Sequence, residues 1–586
     1  MLRVLALFVL FAAALPAHAD ATSDFHALLE AAWEYEMDQS PVYASYLGDR
    51  RANDSWSDQS LDAINARQAR AREFLTALNG IDRSALPAED QINYDLFRRE
   101  LVDRIAAFRF KGYLLPFRHR RGIQGLESWS RMIPQATVQD YDDWLARMSK
   151  IDEVVEQTIA LAEEGRRQGY VAPRVLMERI PDQIAAQLVE DGADSPFYAF
   201  FANLPESFSD EDRERLQTSA VRTIERTIVP AYRRLARYFN ETYLPETRES
   251  VGLSELPGGS EWYEHLAESY TTTAMTPDEI HRLGLNEVRR IRDEMMAIID
   301  EVGFEGDFAA FLEYLRTDPQ FYYDNADDLY EAYLATSKKI DPELVRLFGK
   351  LPRMPYGVKP IPDAVAPNTS TAYYTAPAAD GSRAGIYWVN LYKPEVRPKY
   401  EIEVLSVHEA MPGHHLQLAL QQELGDMPNF RRYSGFTAFV EGWGLYSESL
   451  GPELGLYKDP YSRFGALTYE MWRAVRLVVD TGLHYKGWTR QQAIDFFKDN
   501  AAKTEHDIIN EIDRYISTPG QALAYKIGQL KILEIRARAE AALRDDFDVR
   551  AFHDHLLGAG ALPLDVLETR MQSWIENEVA ALSNGE

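Results

Sequence analysis

The sequence predicts a mainly α-helical protein with one small β-region, and three observations support this fold class. Apolar residues recur at helical spacing through long segments, with polar residues on the remaining face. The segment 384–391 is instead rich in β-branched and aromatic residues between turn signals, which is typical of a strand. No linker or internal repeat divides the chain. A single folded unit is therefore expected over residues 20–586.

Six segments carry the helical spacing most clearly. They are 23–37, 60–78, 88–110, 140–165, 210–239 and 276–302. In the last of them, Thr276 precedes Pro277 and Glu279, a pattern that favours a helix beginning at the proline.

Composition excludes several classes of partner. The chain has 586 residues, of which 46% are hydrophobic, so it can bury a large core. Its 63 lysines and arginines face 92 acidic residues, a formal net charge of −29 at pH 7. Nucleic acids and anionic membrane surfaces are poor partners for such a charge. Cysteine is absent, so we expect neither disulfides nor a lipid-attachment cysteine.

The first 19 residues have the pattern of a secretory signal peptide. Arg3 precedes an apolar run over 4–15, and the segment 16–19 ends in an Ala-x-Ala cleavage pattern. That run is too short to span a membrane, and no later run approaches the roughly 20 apolar residues that a span requires. We expect a soluble mature protein in the periplasm or outside the cell, without membrane insertion.

One short stretch carries the chemistry. Three of the chain's 12 histidines, His408, His414 and His415, fall within eight positions. A carboxylate, Glu409, follows the first of them directly. Packing alone does not require this concentration of ligand-forming groups, so we interpret it as a catalytic zinc site. Glu409 would lie beside the metal and act as the general base for a zinc-activated water.

The spacing leaves the second ligand open. In the zinc-peptidase motif H-E-x-x-H, ligands four positions apart lie about 40° apart on one helical face. Here the spacing is six to His414 and seven to His415, and Pro412 and Gly413 must distort the helix between them. On a regular helix His415 returns to within about 20° of His408. A wide, bulged turn would instead bring His414 to the metal face.

A third ligand is expected in the next apolar segment. Residues 436–448 are aromatic and apolar with few charges, and Glu441 stands among them. A buried carboxylate without a partner is costly, and coordination to a cation removes that cost. Two histidines and a glutamate suit zinc, although cobalt or manganese can substitute.

These residues resemble two groups of proteins. The segment from His408 to Gln417 reads H-E-A-x-P-G-H-H-L-Q, the hallmark of the bacterial domain-of-unknown-function family 885, DUF885. Together with Phe439-Val440-Glu441 it is similar to the HExxH…FVE arrangement of thimet-oligopeptidase-like metallopeptidases. Further stretches that resemble DUF885 are 351–358, 380–383, 389–392, 479–482 and 519–528.

The resemblance implies a specific architecture. It implies a single helical, two-lobed metallopeptidase-like unit over 20–586, with the metal helix at the floor of a deep cleft and a small sheet beside it. It favours His414 as the second ligand and Glu441 as the third, with His415 as the alternative. In the peptidases an edge strand holds extended substrates by backbone pairing. By that analogy Tyr387 and Asn390 on the predicted strand, with Arg383 before it, are expected to contact substrate.

Downstream residues are candidates for stabilising the reaction intermediate. Hydrolysis needs a donor aimed at the developing oxyanion, and a Tyr or His after the ligands supplies it in the resembling families. Tyr525 is the first candidate, followed by Tyr515 and His484. Arg473 and Arg514 are alternative candidates for binding a substrate terminus through bidentate carboxylate pairing.

The sequence therefore predicts zinc-dependent hydrolysis of peptide bonds, with oligopeptides as substrates. Two alternatives stay open: a helical zinc- or peptide-binding protein without catalysis, and a zinc amidohydrolase acting on a non-peptide amide. The sequence does not indicate the peptide preference, the end from which cleavage occurs or the oligomeric state.

Overall fold

A computed structural model describes residues 20–120, 122–363, 366–378, 381, 383–425, 427–433 and 435–584. The predicted signal peptide lies outside these residues. Within them the chain is mainly helical, as the apolar spacing predicts. In the first third the α-helices are α1 (Ala21–Gln39), α2 (Pro41–Leu47), α3 (Leu61–Asn79), α4 (Ala88–Ala107), α5 (Val138–Ser149), α6 (Ile151–Gln168), α7 (Arg174–Met177), α8 (Ile180–Ala185) and α9 (Ala199–Ala202).

Longer helices and three strands form the middle of the chain. The helices are α10 (Asp210–Thr223), α11 (Val229–Tyr238), α12 (Gly259–Thr271), α13 (Pro277–Glu301), α14 (Phe308–Thr317) and α15 (Ala326–Ile340). The strands are β1 (Tyr356–Pro360), β2 (Ala372–Thr375) and β3 (Gly385–Val389).

The last third contains the helices that position the candidate site. They are α16 (Ile402–Glu409), α17 (His414–Glu423), α18 (Asn429–Arg432), α19 (Thr437–Glu448), α20 (Pro460–His484), α21 (Arg490–Asn500), α22 (Glu505–Ser517), α23 (Ala524–Leu543), α24 (Val549–Leu557) and α25 (Leu564–Asn584). A short 3-10 turn, Gln521–Leu523, leads directly into α23.

The predicted helical segments correspond to observed helices, with two informative differences. The segment 140–165 is two helices, α5 and α6, separated at Lys150. The segment 210–239 is interrupted by a π-helical turn, Ile224–Ile228. The predicted start at Thr276 is confirmed, because its side chain and that of Glu279 form a reciprocal capping box.

The sheet corrects one expectation. The strand predicted at 384–391 is β3, but it lies in the middle of a three-stranded sheet of order β1-β3-β2. It pairs in parallel with β1 and antiparallel with β2. The prediction of an edge strand was therefore wrong, because both sides of β3 already carry backbone pairs. The two edges of the sheet are β1 and β2, whose short lengths and flanking turns concealed them in the sequence.

Buried side chains form two large hydrophobic clusters and a smaller one from α1, α3 and α4. Helix α20 contributes to both large clusters, with Val475 and Val478 in one and Tyr469 and Leu477 in the other. The helix lies against α13 so closely that a Cβ on Gly284 would come 2.7 Å from the Leu477 Cβ. A rigid, two-sided α20 therefore links the candidate site to the rest of the fold.

No described helix is long and apolar enough to cross a membrane.

Candidate metal centre

The helix that begins the histidine motif stops at its glutamate. Helix α16 ends at Glu409 and α17 begins at His414, with Ala410 outside helical geometry between them. The Gly413 amide donates to the Val407 carbonyl over 2.9 Å, closing a turn wider than that of an α-helix. A Cβ on Gly413 would lie 1.9 Å from the His408 carbonyl oxygen, so only glycine fits this close approach. The distortion expected at Pro412-Gly413 is thus a complete break between two helices.

This break brings three predicted ligands together. Ligand atoms of His408, His414 and Glu441 all lie within 4.8 Å of one another. The Glu441 Oε2 atom is 3.5 Å from His414 Nε2 and 4.0 Å from His408 Nε2. Two ligands on a tetrahedral zinc ion lie about 3.4 Å apart, given bonds of about 2.1 Å. The donor set therefore suits a small divalent metal ion, and the separation between His414 and Glu441 matches the ideal spacing. We call these three residues the ligand cluster.

A second carboxylate fixes the orientation of His408. Its Nδ1 atom lies 2.7 Å from Glu448 Oε1, on the same helix as Glu441. Glu448 in turn pairs with Arg473 of α20 over 3.3 Å. A hydrogen bond from Nδ1 to a carboxylate leaves Nε2 free to bind a metal, and such an outer carboxylate is common around metal-binding histidines. A Cβ on Gly444 would lie 2.9 Å from His408 Cε1, so this glycine makes room for the ring.

His415 faces the sheet. Its Nε2 atom lies 3.0 Å from the Met354 carbonyl, and its Nδ1 atom 2.7 Å from the Tyr374 hydroxyl. A Cβ on Gly385 of β3 would come 2.7 Å from that Nδ1 atom. Both ring nitrogens are thus occupied away from the ligand cluster. Of the two adjacent histidines, the structure brings only His414 to Glu441.

Burial and mutual charge shift the protonation of these groups. Burial acts against the charge of Glu441, but the hydrogen bond with His414 and the charges of His414 and His408 together lower the Glu441 pKa to about 2. Burial also opposes the charge of His414, yet the hydrogen bond that its ring donates to Glu441, with the charges of Glu441 and Glu409, raises its pKa. Burial, and then the charge of His414, lower the pKa of His408. The cluster thus favours an ionised carboxylate between two imidazoles.

Glu409 lies beside the cluster without belonging to it. Burial raises its pKa to about 7, and the charges of His414 and Glu441 act on it in opposite directions. A carboxylate whose pKa is near neutrality can both accept and release a proton at physiological pH. Glu409 is thus a carboxylate close to the ligand cluster whose pKa lies near neutrality.

Close packing of two helices places Tyr525 at Glu441. A Cβ on Gly442 of α19 would lie 2.5 Å from the Gly528 Cα, and one on Gly528 of α23 would lie 1.9 Å from the Ala438 carbonyl oxygen. Only a glycine pair allows the backbones to approach so closely. As a result the Tyr525 side chain lies close enough to Glu441 to contribute to lowering the pKa of that carboxyl. The first candidate for oxyanion stabilisation is therefore adjacent to the ligand cluster.

The other two oxyanion candidates are engaged elsewhere. The Tyr515 hydroxyl accepts from Trp472 Nε1 and Arg476 Nε and lies 2.7 Å from a Glu511 oxygen. The His484 Nδ1 atom accepts from the Leu253 amide, and its Nε2 atom lies 3.0 Å from the Tyr515 carbonyl. These contacts give both residues a structural role in the arrangement described.

The predicted substrate contacts are only partly placed near the cluster. Tyr387 is buried within the sheet, and its hydroxyl lies 3.5 Å from Ser406 Oγ. The Asn390 amide donates to the carbonyls of three residues in the segment 366–370, and its oxygen accepts from the Tyr392 amide. Arg383 is exposed before β3. Arg514 bonds to Glu511 and Gln521, close to Tyr525.

The sequence does not predict that Glu448, Arg473 and Gly444 support the His408 ring. Glu448 stands seven positions after Glu441, so an acidic residue on the same helical face was the available signal. Arg473 and Gly444 carry no local signal, because their importance depends on α20 and α19 packing against His408.

The comparisons with known proteins place this architecture in a family. A family model described as bacterial protein of unknown function (DUF885) matches residues 41–571. The crystal structure of the putative lipoprotein from Colwellia psychrerythraea is 29% identical, with a TM-score of 0.89 over 95% of this chain and 100% of that one. A putative lipoprotein of unknown function from Shewanella oneidensis is 19% identical, with a TM-score of 0.71 over 94% of this chain and 100% of its own, and shares the fold. No curated protein matches the chain.

Proposed function

We propose that this chain, which belongs to the DUF885 family of bacterial proteins, is a metal-dependent hydrolase of peptide bonds. The observation that carries the proposal is the ligand cluster with Glu409 beside it. Three protein ligands leave one position of a tetrahedral ion open, as in catalytic sites, whereas structural zinc sites are closed by four ligands.

The ligand cluster would hold the ion, and zinc suits two imidazoles and a carboxylate best. When bound, such an ion acts as a Lewis acid that makes water a nucleophile near neutral pH. Glu448 would keep the His408 ring oriented for binding, through the 2.7 Å contact at Nδ1.

The remaining steps fall to side chains around the cluster. Glu409 accepts the proton of the attacking water and passes it to the leaving amine. The Tyr525 hydroxyl, beside Glu441, donates a hydrogen bond to the developing oxyanion. His415 holds β2 against α17 through Tyr374, which keeps the sheet beside the reacting groups.

Peptides are proposed as substrates because the motif resembles that of thimet-oligopeptidase-like metallopeptidases. An exported location is also part of the proposal. It is supported by the signal-peptide pattern of residues 1–19 and by the description of the Colwellia psychrerythraea structure as a putative lipoprotein.

Digestion of a peptide library tests the function. The purified protein is freed of metal with a chelator and dialysed, then assayed alone and after addition of one equivalent of zinc. We expect peptide cleavage only after zinc is restored. Zinc binding without cleavage of any peptide would favour a non-catalytic metal-binding protein, and cleavage of non-peptide amides alone would favour an amidohydrolase. Full activity in the chelated protein would overturn metal dependence.

A further inference from the structure

A cluster of arginines lies next to the ligand cluster, on the side of Tyr525. The Arg476 guanidinium stacks over the Tyr525 ring, with 4.2 Å between its carbon and the ring centroid. Its Nε atom donates to the Tyr515 hydroxyl over 2.8 Å, and its Nη2 atom lies 3.2 Å from Glu511. Arg514 donates to the same Glu511 carboxylate over 3.0 Å. We call Arg476, Arg514 and Glu511 the arginine cluster.

The charges in this cluster do not balance. Two guanidinium groups share the single carboxylate of Glu511, and Arg473 on the preceding turn of α20 is paired separately with Glu448. Arg120 is exposed and lies near the cluster, where the charges of Glu511 and Asp513 act on its pKa in the opposite sense to that of Arg514, so the surplus rests on the two buried guanidinium groups. A surplus of positive charge in a buried position of a chain with net charge −29 needs a reason.

One donor of the cluster also has no partner. Arg476 is 4% exposed, and among the described residues its Nη1 atom is buried without a hydrogen-bond acceptor. A buried donor left unsatisfied is costly, and the cost is greater for a charged group. Support of the Tyr525 ring needs only the stacked face and the two contacts already made. The free Nη1 atom and the surplus charge therefore point to an anionic ligand.

Tyr525 connects this anion site with the reacting groups. Its ring carries Arg476 on one face, and its side chain lies close enough to Glu441 of the ligand cluster to act on the pKa of that carboxyl. One aromatic side chain thus separates the guanidinium from the metal centre. An extended peptide spans about 3.3–3.6 Å per residue, so roughly two substrate residues cover the length of one aromatic side chain between the guanidinium and the metal centre.

We propose that the arginine cluster binds a carboxylate of the peptide substrate and selects bonds within about two residues of it. The carboxylate is supplied either by the chain terminus or by an acidic side chain, and both have the chemistry that a guanidinium recognises in bidentate form. This inference rests on the proposed function of the same site. It gives that function a substrate class, anionic peptides cut next to their carboxylate.

Three peptides of one neutral sequence separate the two sources. The first ends in a free carboxylate, the second in a carboxamide, and the third in a carboxamide with a glutamate as its last residue. Each is digested by the zinc-loaded wild-type protein, and the products are identified by mass. We expect kcat/KM for the neutral carboxamide to be about 10- to 100-fold below that of a carboxylate-bearing peptide, the range that charge-assisted hydrogen bonds supply.

Two variants test which groups are responsible. Arg514→Gln and Arg476→Lys should lower kcat/KM for the carboxylate peptide by a larger factor than for the neutral carboxamide, so that the ratio of the two values falls toward one. If the two arginines had only a structural role, kcat/KM would fall by the same factor for both peptides. Arg538→Gln is the matched control. It removes an arginine of α23 that pairs with Glu568 of α25, and it should keep the full preference for the carboxylate peptide. Thermal unfolding checks that each variant is folded.

Each outcome decides a separate claim. Preference for the free terminus, or for the glutamate peptide, supports the inference and identifies the source of the carboxylate. Equal hydrolysis of all three peptides would overturn the carboxylate site while leaving the hydrolase intact. No hydrolysis of any peptide would overturn the proposed function, and this inference with it.

Discussion

At the scale of single residues, two neighbours in the chain have opposite surroundings. The His414 Nε2 atom lies 3.5 Å from the Glu441 carboxylate, whereas both nitrogens of the His415 ring bond to Tyr374 and Met354. Adjacent side chains on a helix diverge by about 100°, so only one of the two can face the ligand cluster.

The matched pair of alanine variants follows from this difference. We expect His414→Ala to lose stoichiometric zinc, because the cluster would retain only two ligands. His415→Ala should bind zinc with nearly unchanged affinity and lose stability or turnover, since its contacts hold the sheet. Metal analysis of the two purified proteins checks this. Zinc lost only from the His415 variant would show that His415, and not His414, is the second ligand.

The sequence predicted His408 and Glu441 as ligands from their types and positions, and the structure brings their ligand atoms together with that of His414. The role of Glu409 stays a prediction. The spacing alone left open whether His414 or His415 is the second ligand, since the choice depends on how the chain breaks between α16 and α17. That break in turn depends on a long-range fit around Gly413, which no local pattern reveals. The outer partners, Glu448 and Arg473, depend on the packing of separate helices in the same way.

At the scale of elements, the site depends on the contact between α19 and α23. Gly442 and Gly528 let these helices touch, which places Glu441 beside Tyr525. The helices themselves were predictable from their apolar spacing, but the pairing was not, because a glycine within a helix carries no sign of its partner. The same limit applies to β3. Its composition indicated a strand, but its central position depends on pairing with β1 and β2, which the sequence did not predict.

Gly528→Ala tests this contact. The added Cβ would lie 1.9 Å from the Ala438 carbonyl oxygen, so the helices must separate. Overpacking of this kind costs about 1–3 kcal/mol of unfolding free energy. Gly357→Ala is the control, since its Cβ would have its nearest neighbour at 4.0 Å. Denaturant unfolding should show the loss for Gly528→Ala alone, with turnover reduced as Tyr525 moves from Glu441. Equal stability of the two variants would contradict the packing argument.

At the scale of the whole molecule, buried neutral histidines away from the site make stability depend on pH. Burial lowers the pKa of His119 to about 4 and that of His484 to about 4. Burial lowers that of His553 further, to about 3. In the unfolded chain each has a pKa near 6.5. Between about pH 6.5 and 4 the unfolded state therefore binds protons that the folded state does not, and unfolding is favoured as the pH falls.

We expect the unfolding free energy to decrease from pH 6.5 to pH 4, by on the order of 3 kcal/mol for each such histidine. His119→Gln removes one titrating group whose ring nitrogens have no hydrogen-bond partner among the described residues. Its unfolding free energy should fall less steeply than that of the wild-type protein over the same interval. Parallel pH profiles for the two proteins would show that His119 does not titrate as its burial implies.

The central claim is that the ligand cluster serves catalysis and that Glu409 moves the proton. The most direct measurement is peptide turnover by Glu409→Gln, with zinc content determined on the same sample. The amide has nearly the shape of the carboxylate but cannot accept a proton, and general bases typically contribute about 10²–10⁴-fold to a rate. We predict that Glu409→Gln binds one zinc ion per chain and loses turnover by a factor of about 10²–10⁴. Turnover near the wild-type rate by a zinc-loaded Glu409→Gln protein would contradict it.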